Sequence, residues 1–277
     1  MAWRARLQID YRRDPGGRTL AHDRFEGPLR VLQSLYPEGP AVCQHVIVHP
    51  PGGVVGGDEL DIALNLGAGA HALVTTAGAT RFYRSAGPQA AQRLHARVAA
   101  GARLEWLPLE AIAYDGAAAE NRLVFELEAG AEAIAWDLLA LGLPAAGQAF
   151  VRGCFSQYLE LPGRWLERGR LRADDALLLD SPLGLAGRRV LGCLVFAAGG
   201  PLAPARRTAL LDAARARLAD HPLAATAGAT APEPGVVVLR GLAERVEPLL
   251  DLFKAVWADW RALAWERAGV APRVWRT

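Results

Sequence analysis

A strand–turn–strand unit occurs three times in this sequence, and the repeat limits the possible folds more than any other feature. The three copies are IALNLGAGAHALVTT, HARVAAGARLEWLPL and VFELEAGAEAIAWDLL, with turn glycines Gly69, Gly101 and Gly130. Repeats of this kind stack on one another to bury a continuous core. The sequence therefore predicts a mainly β protein, a β-helix or solenoid-like stack of sheets. An antiparallel sandwich of alanine-rich hairpins is the alternative.

Other strands are predicted from alternating or β-branched segments. Leu60, Ile62 and Leu64 share one face of an extended segment, a pattern typical of a half-buried strand. A polar Pro-Gly turn at residues 14–18 separates the first two predicted strands. The strands predicted in this way are residues 3–11, 29–36, 42–48, 60–66, 72–76, 151–161, 165–172, 190–196 and 236–239.

Two α-helices are predicted near the carboxyl end. Residues 204–219 have helical apolar periodicity, and Pro204 suits the first helical position. A second helix is predicted from about Glu247 to Arg267, with Gly269 as its stop. Residues 221–235 are rich in Ala, Pro and Gly and are expected to form a loose connection. We expect a single domain over residues 1–277, with a β body at about 1–200 and a helix-containing part at about 201–277.

Composition disfavours some classes of function. The 31 basic and 29 acidic residues leave a net charge of +2, which gives no reason to expect nucleic acid or an anionic membrane as a partner. Three scattered cysteines favour a reduced, cytoplasmic protein. There is no apolar segment of signal-peptide or membrane-spanning length. We therefore expect a cytoplasmic protein.

The run HPPGGVVGGD is the densest concentration of glycine in the chain. It has no lysine followed by Ser or Thr, so it is not a phosphate-binding Walker loop, and its spacing does not fit a dinucleotide fingerprint. Glycines here suit a backbone with positive φ or a close approach to another segment. We expect a structural loop formed by Pro50, Pro51, Gly52, Gly53, Gly56 and Gly57, with Tyr83 and Arg84 from the polar segment that follows.

Three carboxylates lie in apolar surroundings: Glu110, Asp115 and Asp137. A carboxylate inside a β core is costly unless it is paired, hydrated or bound to a cation. All three fall at or just after the second strand of the repeat, so stacking could bring them together. They could line a wet interior that holds divalent ions weakly. The alternative is that each caps a turn or pairs with an arginine.

Histidines provide weaker candidates for metal ligands. His45 and His49 lie on a predicted strand, where a separation of four residues is roughly 13 Å. They are therefore too far apart to bind one metal ion together. No G-x-S-x-G motif or Ser-His-Asp order suggests a nucleophilic enzyme.

The segments HPPGGVVGGD, TTAGATRFYRSAG and LEWLPLEAIAYDGA, in this order and spacing, resemble the urease accessory protein family UreD, also called UreH. The likeness extends through WDLLALGLPAAGQ, VRGCFSQYLEL and SPLGLAGRRVLG to the closing PRVWRT, and so covers nearly the whole chain.

This resemblance implies a non-enzymatic scaffold for nickel insertion into urease. Members form a complex with UreF and the GTPase UreG, dock on the urease apoprotein, and are thought to conduct nickel through an internal tunnel; the nickel chaperone UreE would act indirectly. No cofactor would be permanently bound, and nickel would pass transiently. The candidates for its route are Glu110, Asp115 and Asp137, with His49 and Tyr83 as weaker ones.

The chain departs from the family pattern at one of these candidates. Where members often have Trp-Glu followed by a Cys-Leu-Gly-Arg run, this chain has Trp136-Asp137 followed by residues 140–143, ALGL. The carboxylate is retained, but the thiol and the guanidinium are absent from this segment. A strong nickel site is therefore not expected here, whereas a tunnel remains compatible with the sequence.

Binding to UreF is expected through the carboxy-terminal helix and tail, because Trp and Arg often anchor interfaces. The residues assigned to this contact are Trp257, Trp260, Trp265, Trp275 and Arg276. Two other hypotheses are compatible with the sequence. The first is a β-helix carbohydrate-active enzyme that uses Glu110, Asp115 and Asp137 as acid and base. The second is a structural β-solenoid without a ligand.

Overall fold

The computed structural model describes residues 2–276, which form two large β-sheets covered on one side by helices. The strands are β1 Arg4–Arg13, β2 Thr19–Glu26, β3 Arg30–Val31, β4 Val42–Val48, β5 Glu59–Leu66, β6 His71–Thr76, β7 Thr80–Phe82, β8 Ala90–Val98, β9 Arg103–Trp106, β10 Ala111–Ala113, β11 Ala118–Leu127, β12 Glu132–Leu141, β13 Cys154–Leu161, β14 Trp165–Arg172, β15 Val190–Ala198, β16 Ala227–Glu233 and β17 Val236–Ala243. The helices are α1 Ala176–Asp180, α2 Pro204–Leu218 and α3 Val246–Trp265. Short 3-10 turns cover Pro144–Ala146 and Arg273–Arg276.

The first sheet, sheet A, has the order β14-β13-β11-β8-β5-β1-β2. Its five central strands, from β13 to β1, are parallel, and the two edge strands are antiparallel. The second sheet, sheet B, has the order β16-β17-β15-β12-β9-β6-β4-β3. Its parallel centre runs from β12 to β4. Strands β15, β16 and β17 extend it by antiparallel pairing.

The three repeats cross from one sheet to the other. Their first strands, β5, β8 and β11, are neighbours in sheet A, whereas their second strands, β6, β9 and β12, are neighbours in sheet B. Each repeat is therefore one coil of a solenoid, which confirms the predicted stack and excludes the sandwich of hairpins. The turns stack as well, because Gly101 N donates to Gly130 O at 3.2 Å. All three turn glycines have positive φ, between 69° and 80°.

Two apolar layers hold this arrangement together. The alternating inward residues of both sheets, such as Ile62 and Leu64 on β5 and Leu94 on β8, form the core between the sheets. The opposite face of sheet B packs against α2 and α3 through a second cluster that includes Trp136 and Phe253. None of the helices in residues 2–276 combines the length and apolar character needed to cross a bilayer.

A buried ionic network fixes α3 to sheet B. Glu105 is fully buried on β9, where His71 Nε2 lies 2.7 Å from its carboxylate and Trp257 Nε1 donates to it at 2.6 Å. Arg261 Nε contacts the same carboxylate at 3.2 Å without hydrogen-bond alignment, and Arg261 Nη2 donates to Glu38 at 2.7 Å. Burial alone would raise the pKa of Glu105, but the hydrogen bond from His71 and the charges of His71 and Arg261 lower it overall.

Several local predictions differ from the structure. The strand expected at 29–36 is only Arg30–Val31, and the partner of β1 is instead β2, which follows the 14–18 turn directly. The loose connection predicted at 221–235 contains β16, which is an edge strand of sheet B. Helix α3 ends at Trp265, followed by Glu266 in the left-handed region at φ 54°, rather than at Gly269. Hairpin pairing with the next or preceding strand determines the first two outcomes, because β1 pairs with β2 and β16 pairs with β17.

We predict that Arg261→Leu destabilises the protein strongly. The change removes the guanidinium that Glu105 and Glu38 share and leaves His71 as the remaining partner of Glu105 in the network; breaking a buried ion pair in this way costs about 3–5 kcal/mol. Arg217→Leu is the matched control, because Arg217 forms a solvent-exposed pair with Asp259 between α2 and α3, and such pairs contribute about 0–1 kcal/mol. Urea unfolding followed by circular dichroism measures both. Equal losses in the two variants would contradict the anchoring role of the network.

Candidate functional site

A row of amide side chains crosses the inner face of sheet A. Gln92 on β8 is in register with Asn121 on β11, which is in register with Gln157 on β13. Each amide lies two residues before an inward leucine and therefore points to the same inner face of the sheet. The other inward positions of these strands are apolar. Gln92 and Asn121 are buried and Gln157 is half-buried. The stacking of successive coils therefore aligns three polar groups across an otherwise apolar interior.

Sheet B has a matching polar row opposite the amides. Asp137 on β12 pairs in register with Cys193 on β15, and Cys193 pairs with Arg240 on β17. Asp137 shares its inward face with Ala135 and Leu139, which belong to the core between the sheets. The sequence lacks a cysteine near residue 140, but Cys193 places a thiol on the neighbouring strand β15, directly opposite the carboxylate of Asp137.

Hydrogen bonds join the two rows. Asn121 Nδ2 donates to Asp137 Oδ1 at 2.9 Å, and Gln157 Nε2 donates to Asp137 Oδ2 at 3.0 Å. Gln92 Nε2 donates to Asn121 Oδ1 at 3.1 Å. Because an ionised carboxylate only accepts hydrogen bonds, Asp137 fixes the orientation of each amide. The carbonyl oxygen of Gln92 consequently points away from the chain of hydrogen bonds and accepts none among residues 2–276.

Asp137 is an interior carboxylate without a cationic partner in the described chain. Burial raises its pKa to about 6, although the hydrogen bonds from Gln157 and Asn121 lower it in part. Burial also raises the pKa of the Cys193 thiol. The nearby guanidinium of Arg240 is already paired with Glu167, to which Arg240 Nε donates at 2.9 Å. Within residues 2–276, therefore, no guanidinium or ammonium group pairs with the carboxylate of Asp137.

Cavities lie at both ends of the polar row. One, of about 530 Å³, is lined by Asp137, Gln157, Cys193, Glu167 and Arg240 among other residues. The other, of about 300 Å³, lies near the start of the amide row and is lined by residues that include His49, Thr76, Gln92 and Trp106. Asn121 connects the two through its hydrogen bonds. The polar row thus extends from one cavity to the other.

The three predicted carboxylates do not form a cluster. Asp137 lies in the interior, whereas Asp115 is at the surface, where it pairs with Arg152 and accepts from Val151 N at 3.0 Å. The hydrogen bond from Arg152 is the main cause of the lowered pKa of Asp115. Glu110 is half-buried in the connection between β9 and β10. No group of three or more His, Cys, Asp or Glu side chains within residues 2–276 could hold a metal ion together.

Comparison with known proteins identifies the family of this chain. The model of the family described as UreD urease accessory protein matches residues 4–276. The chain is 59% identical over 278 residues to the urease accessory protein UreD of Leptothrix cholodnii, with both chains covered completely. It is 58% identical to that of Paracidovorax citrulli and 56% identical to that of a Polaromonas species, over 99% of each chain.

The chain belongs to the UreD family. The resemblance found in the sequence is thereby confirmed.

In this UreD family member the glycine-rich loop packs closely on the segment after β7. A Cβ atom at Gly53 would overlap the Tyr83 ring, and one at Gly56 would overlap the Ser85 hydroxyl. Gly52 and Gly57 have positive φ. Pro50, Pro51 and Arg84 are exposed at the same end of the solenoid. The loop thus forms one wall of the cavity near His49.

The tryptophans of α3 are not exposed, which corrects the expectation that they contact a partner directly. Trp257, Trp260 and Trp265 are each at most 4% exposed. Their indole N–H groups donate to Glu105, to the Leu210 carbonyl and to Glu132, respectively. Aromatic side chains with an N–H are well suited to such a buried seam. These tryptophans dock α3 on its own β body.

The tail packs on the same layer. Trp275 is half-buried between Trp136 and Trp257, and its Nε1 donates to Thr75 Oγ1 at 2.9 Å. Arg276 is exposed. Of the five residues assigned to a partner, Arg276 alone is exposed, and Trp275 is half-buried.

We predict that Asp137→Asn stabilises the protein at neutral pH. The folded state raises the pKa of Asp137 from about 3.8 to about 6, so ionisation favours the unfolded chain above pH 4. This cost grows between pH 4 and 6 to about 3 kcal/mol. The amide removes it when the half-buried Gln157 side chain turns over, so that its carbonyl oxygen accepts from the new NH₂ group. Unfolding curves at pH 4 and pH 7 measure the difference, which should fall to about 0.5 kcal/mol at the lower pH.

Asp115→Asn is the control, because we expect it to change stability in the opposite direction. Its carboxylate has a lowered pKa and accepts hydrogen bonds from Arg152, so the amide should reduce stability at pH 7. A pH-independent effect of Asp137→Asn would contradict the buried, unpaired state of this carboxylate.

Proposed function

We propose that this UreD family member acts in urease maturation by guiding nickel through the polar row between its two sheets. The observation that supports this proposal best is the continuous chain Gln92, Asn121, Asp137 and Gln157, which joins two cavities. In a core of this size, buried polar groups are costly unless they are satisfied or used. The printed names of the relatives provide the connection with urease.

The chemistry of the row suits a passing ion rather than a bound one. Amide groups can exchange hydrogen bonds with the water shell of an ion, and Asp137 provides the single uncompensated negative charge. Cys193, opposite Asp137, adds a sulfur atom, although burial raises its pKa and so disfavours the thiolate that binds metal strongly. A weak interaction permits release, which delivery to another protein requires.

The complete assembly is also part of the proposal. The chain would act as a non-enzymatic scaffold in the cytoplasm, in complex with UreF and the GTPase UreG, and docked on the urease apoprotein. UreE would supply nickel indirectly. Arg276 and the exposed part of the tail remain candidates for a contact with UreF, whereas the tryptophans of α3 would act through the position of the helix.

A carbohydrate-active enzyme receives less support. Such an enzyme needs two carboxyl groups flanking one sugar bond. Here Asp137 is inside the core, Asp115 is in a surface ion pair and Glu110 is in a loop. A ligand-free structural solenoid would give no reason for the interior amide row.

The test is the nickel content and specific activity of urease produced together with UreF, UreG, UreE and this chain. We expect omission of the chain to leave urease without nickel. Asn121→Leu, which interrupts the amide row, should lower the nickel content by about tenfold, comparable to the loss of a residue that orients metal ligands.

Asn65→Leu is the matched control for Asn121→Leu. Asn65 is also an asparagine in sheet A, but it lies on the outer face and donates to Asp10. Its substitution should leave nickel insertion unchanged. Full loading of urease without the chain would refute a role in maturation, and full loading by Asn121→Leu would refute the internal path.

A further inference from the structure

A surface pocket of about 330 Å³ lies outside the polar row. Its lining includes Tyr83, Arg84, Tyr114, Asp115 and Gln148, and we call it the Arg84 pocket. Tyr83 directly follows β7 and Tyr114 directly follows β10, so the pairing of these two strands brings the tyrosines side by side. Their ring centroids are 4.9 Å apart. The pocket thus combines one guanidinium with two phenol groups and an amide.

The Arg84 guanidinium has no partner within residues 2–276. Arg84 is exposed, and it forms no hydrogen bond, ion pair or ring contact with the described chain. Its stem packs on Gly116, where a Cβ atom would lie 2.8 Å from Arg84 Cγ. Glycine at this position therefore leaves room for the stem beside the pocket. A positioned arginine without a partner is free to bind an anion.

The carboxylate of the pocket does not neutralise Arg84, because it is already bound elsewhere. Arg152 Nε donates to one oxygen of Asp115 at 3.0 Å. The backbone N–H groups of Val151 and Arg152 donate to the other oxygen at 3.0 and 2.8 Å. The charge of Asp115 is thus matched by Arg152, and the charge of Arg84 remains uncompensated.

The other polar groups of the pocket are suited to a carboxylate. The hydroxyls of Tyr83 and Tyr114 form no hydrogen bond within the described chain, and each can donate to an anion, as can the Gln148 amide. A guanidinium binds a carboxylate through two parallel N–H groups. A phosphate dianion would be less well compensated, since Arg84 is the single cationic residue in the lining.

The surroundings of the pocket are typical of a protein interface. Val151 is 64% exposed and lies beside Asp115 at the rim. Arg84 and Gln148 are exposed as well, so a side chain on the surface of a large partner can reach the pocket directly. Tyrosine and arginine are among the residues that contribute most to binding at interfaces. This setting favours a carboxylate carried by a protein.

We infer that the Arg84 pocket binds the carboxylate of an aspartate or glutamate side chain on the surface of a partner protein. Arg84 forms the ion pair, the hydroxyls of Tyr83 and Tyr114 donate hydrogen bonds, and Val151 packs against apolar atoms of the partner. This inference rests on the proposed function, from which we take the urease apoprotein as the partner.

The experiment measures the affinity of immobilised urease apoprotein for the purified full-length chain by biolayer interferometry. Arg84→Glu should weaken binding by about thirtyfold or more, because two negative charges then face each other. Arg12→Glu is the matched control, with the same change of charge. Arg12 is an exposed arginine without a partner in the described chain, and it lies beside Gly67 at the opposite end of the solenoid. Its substitution should leave the affinity unchanged.

Tyr114→Phe tests the phenol group without a change of charge. The ring is retained and the hydroxyl is lost, so binding should weaken by about tenfold, the effect of one hydrogen bond to a charged group. Unchanged affinity in both Arg84→Glu and Tyr114→Phe, or equal losses in Arg84→Glu and Arg12→Glu, would overturn the inference. Failure of the wild-type chain to bind the apoprotein would overturn it as well.

A titration with inorganic phosphate distinguishes a free anion from a partner protein. Calorimetry of phosphate added to the free chain should show no binding that depends on Arg84. Phosphate binding that Arg84→Glu removes would assign the pocket to a small anion and overturn the inference.

Asn121→Leu separates this inference from the proposed function. Asn121 does not line the Arg84 pocket, so this variant should bind the apoprotein with wild-type affinity while the nickel content of urease falls. Arg84→Glu should also lower the nickel content, but a higher concentration of the chain should restore it, because only binding is weakened. Wild-type binding by Arg84→Glu would overturn the inference and leave the internal path in place. Full loading of urease by Asn121→Leu would refute the internal path and leave the Arg84 pocket in place.

Discussion

In-register hydrogen bonding between parallel strands sets side chains from successive coils beside one another, and the rest of the structure depends on this register. It aligns Gln92, Asn121 and Gln157 across sheet A, and it sets Asp137 opposite Cys193 in sheet B. A shift of one residue would turn each inward side chain outward. The apolar core and the polar row are therefore specified by the same pairing, and neither can change independently of the other.

The ionic network around Glu105 extends this order to the helical layer. Glu105 lies on the outer side of sheet B and binds both Trp257 and Arg261 of α3, while Trp275 of the tail packs over the same helix. The β body and the helices consequently share a single packed interface. The buried tryptophans contribute to that interface. They would affect a partner protein through the position that they give to α3 and the tail.

Much of the fold could be predicted from local sequence. Gly-Ala turns between apolar strands indicated the coils, and the periodicity of residues 204–219 indicated α2. The polar row was harder to predict, although it had a signal: Gln92, Asn121 and Gln157 each occupy an inward position two residues before a leucine. That signal becomes meaningful only when the register is known. Pairings such as Asp137 with Cys193 depend on strands distant in sequence, which local patterns do not determine.

The role of an individual residue likewise depends on long-range packing, which local sequence patterns do not determine. An apolar stripe on α3 predicts burial, but it does not reveal whether the covering surface belongs to the same chain or to a partner. The carboxylates Glu110, Asp115 and Asp137 look alike in sequence, yet the geometry leaves Asp137 alone in the interior. The central claim, that a cation passes along this row, can be tested directly by anomalous X-ray scattering from crystals of the protein soaked in nickel. We predict anomalous density between the sheets, in the cavity beside Gln92 or next to Asp137. Density confined to surface groups such as His95 and Glu126 would contradict the internal path.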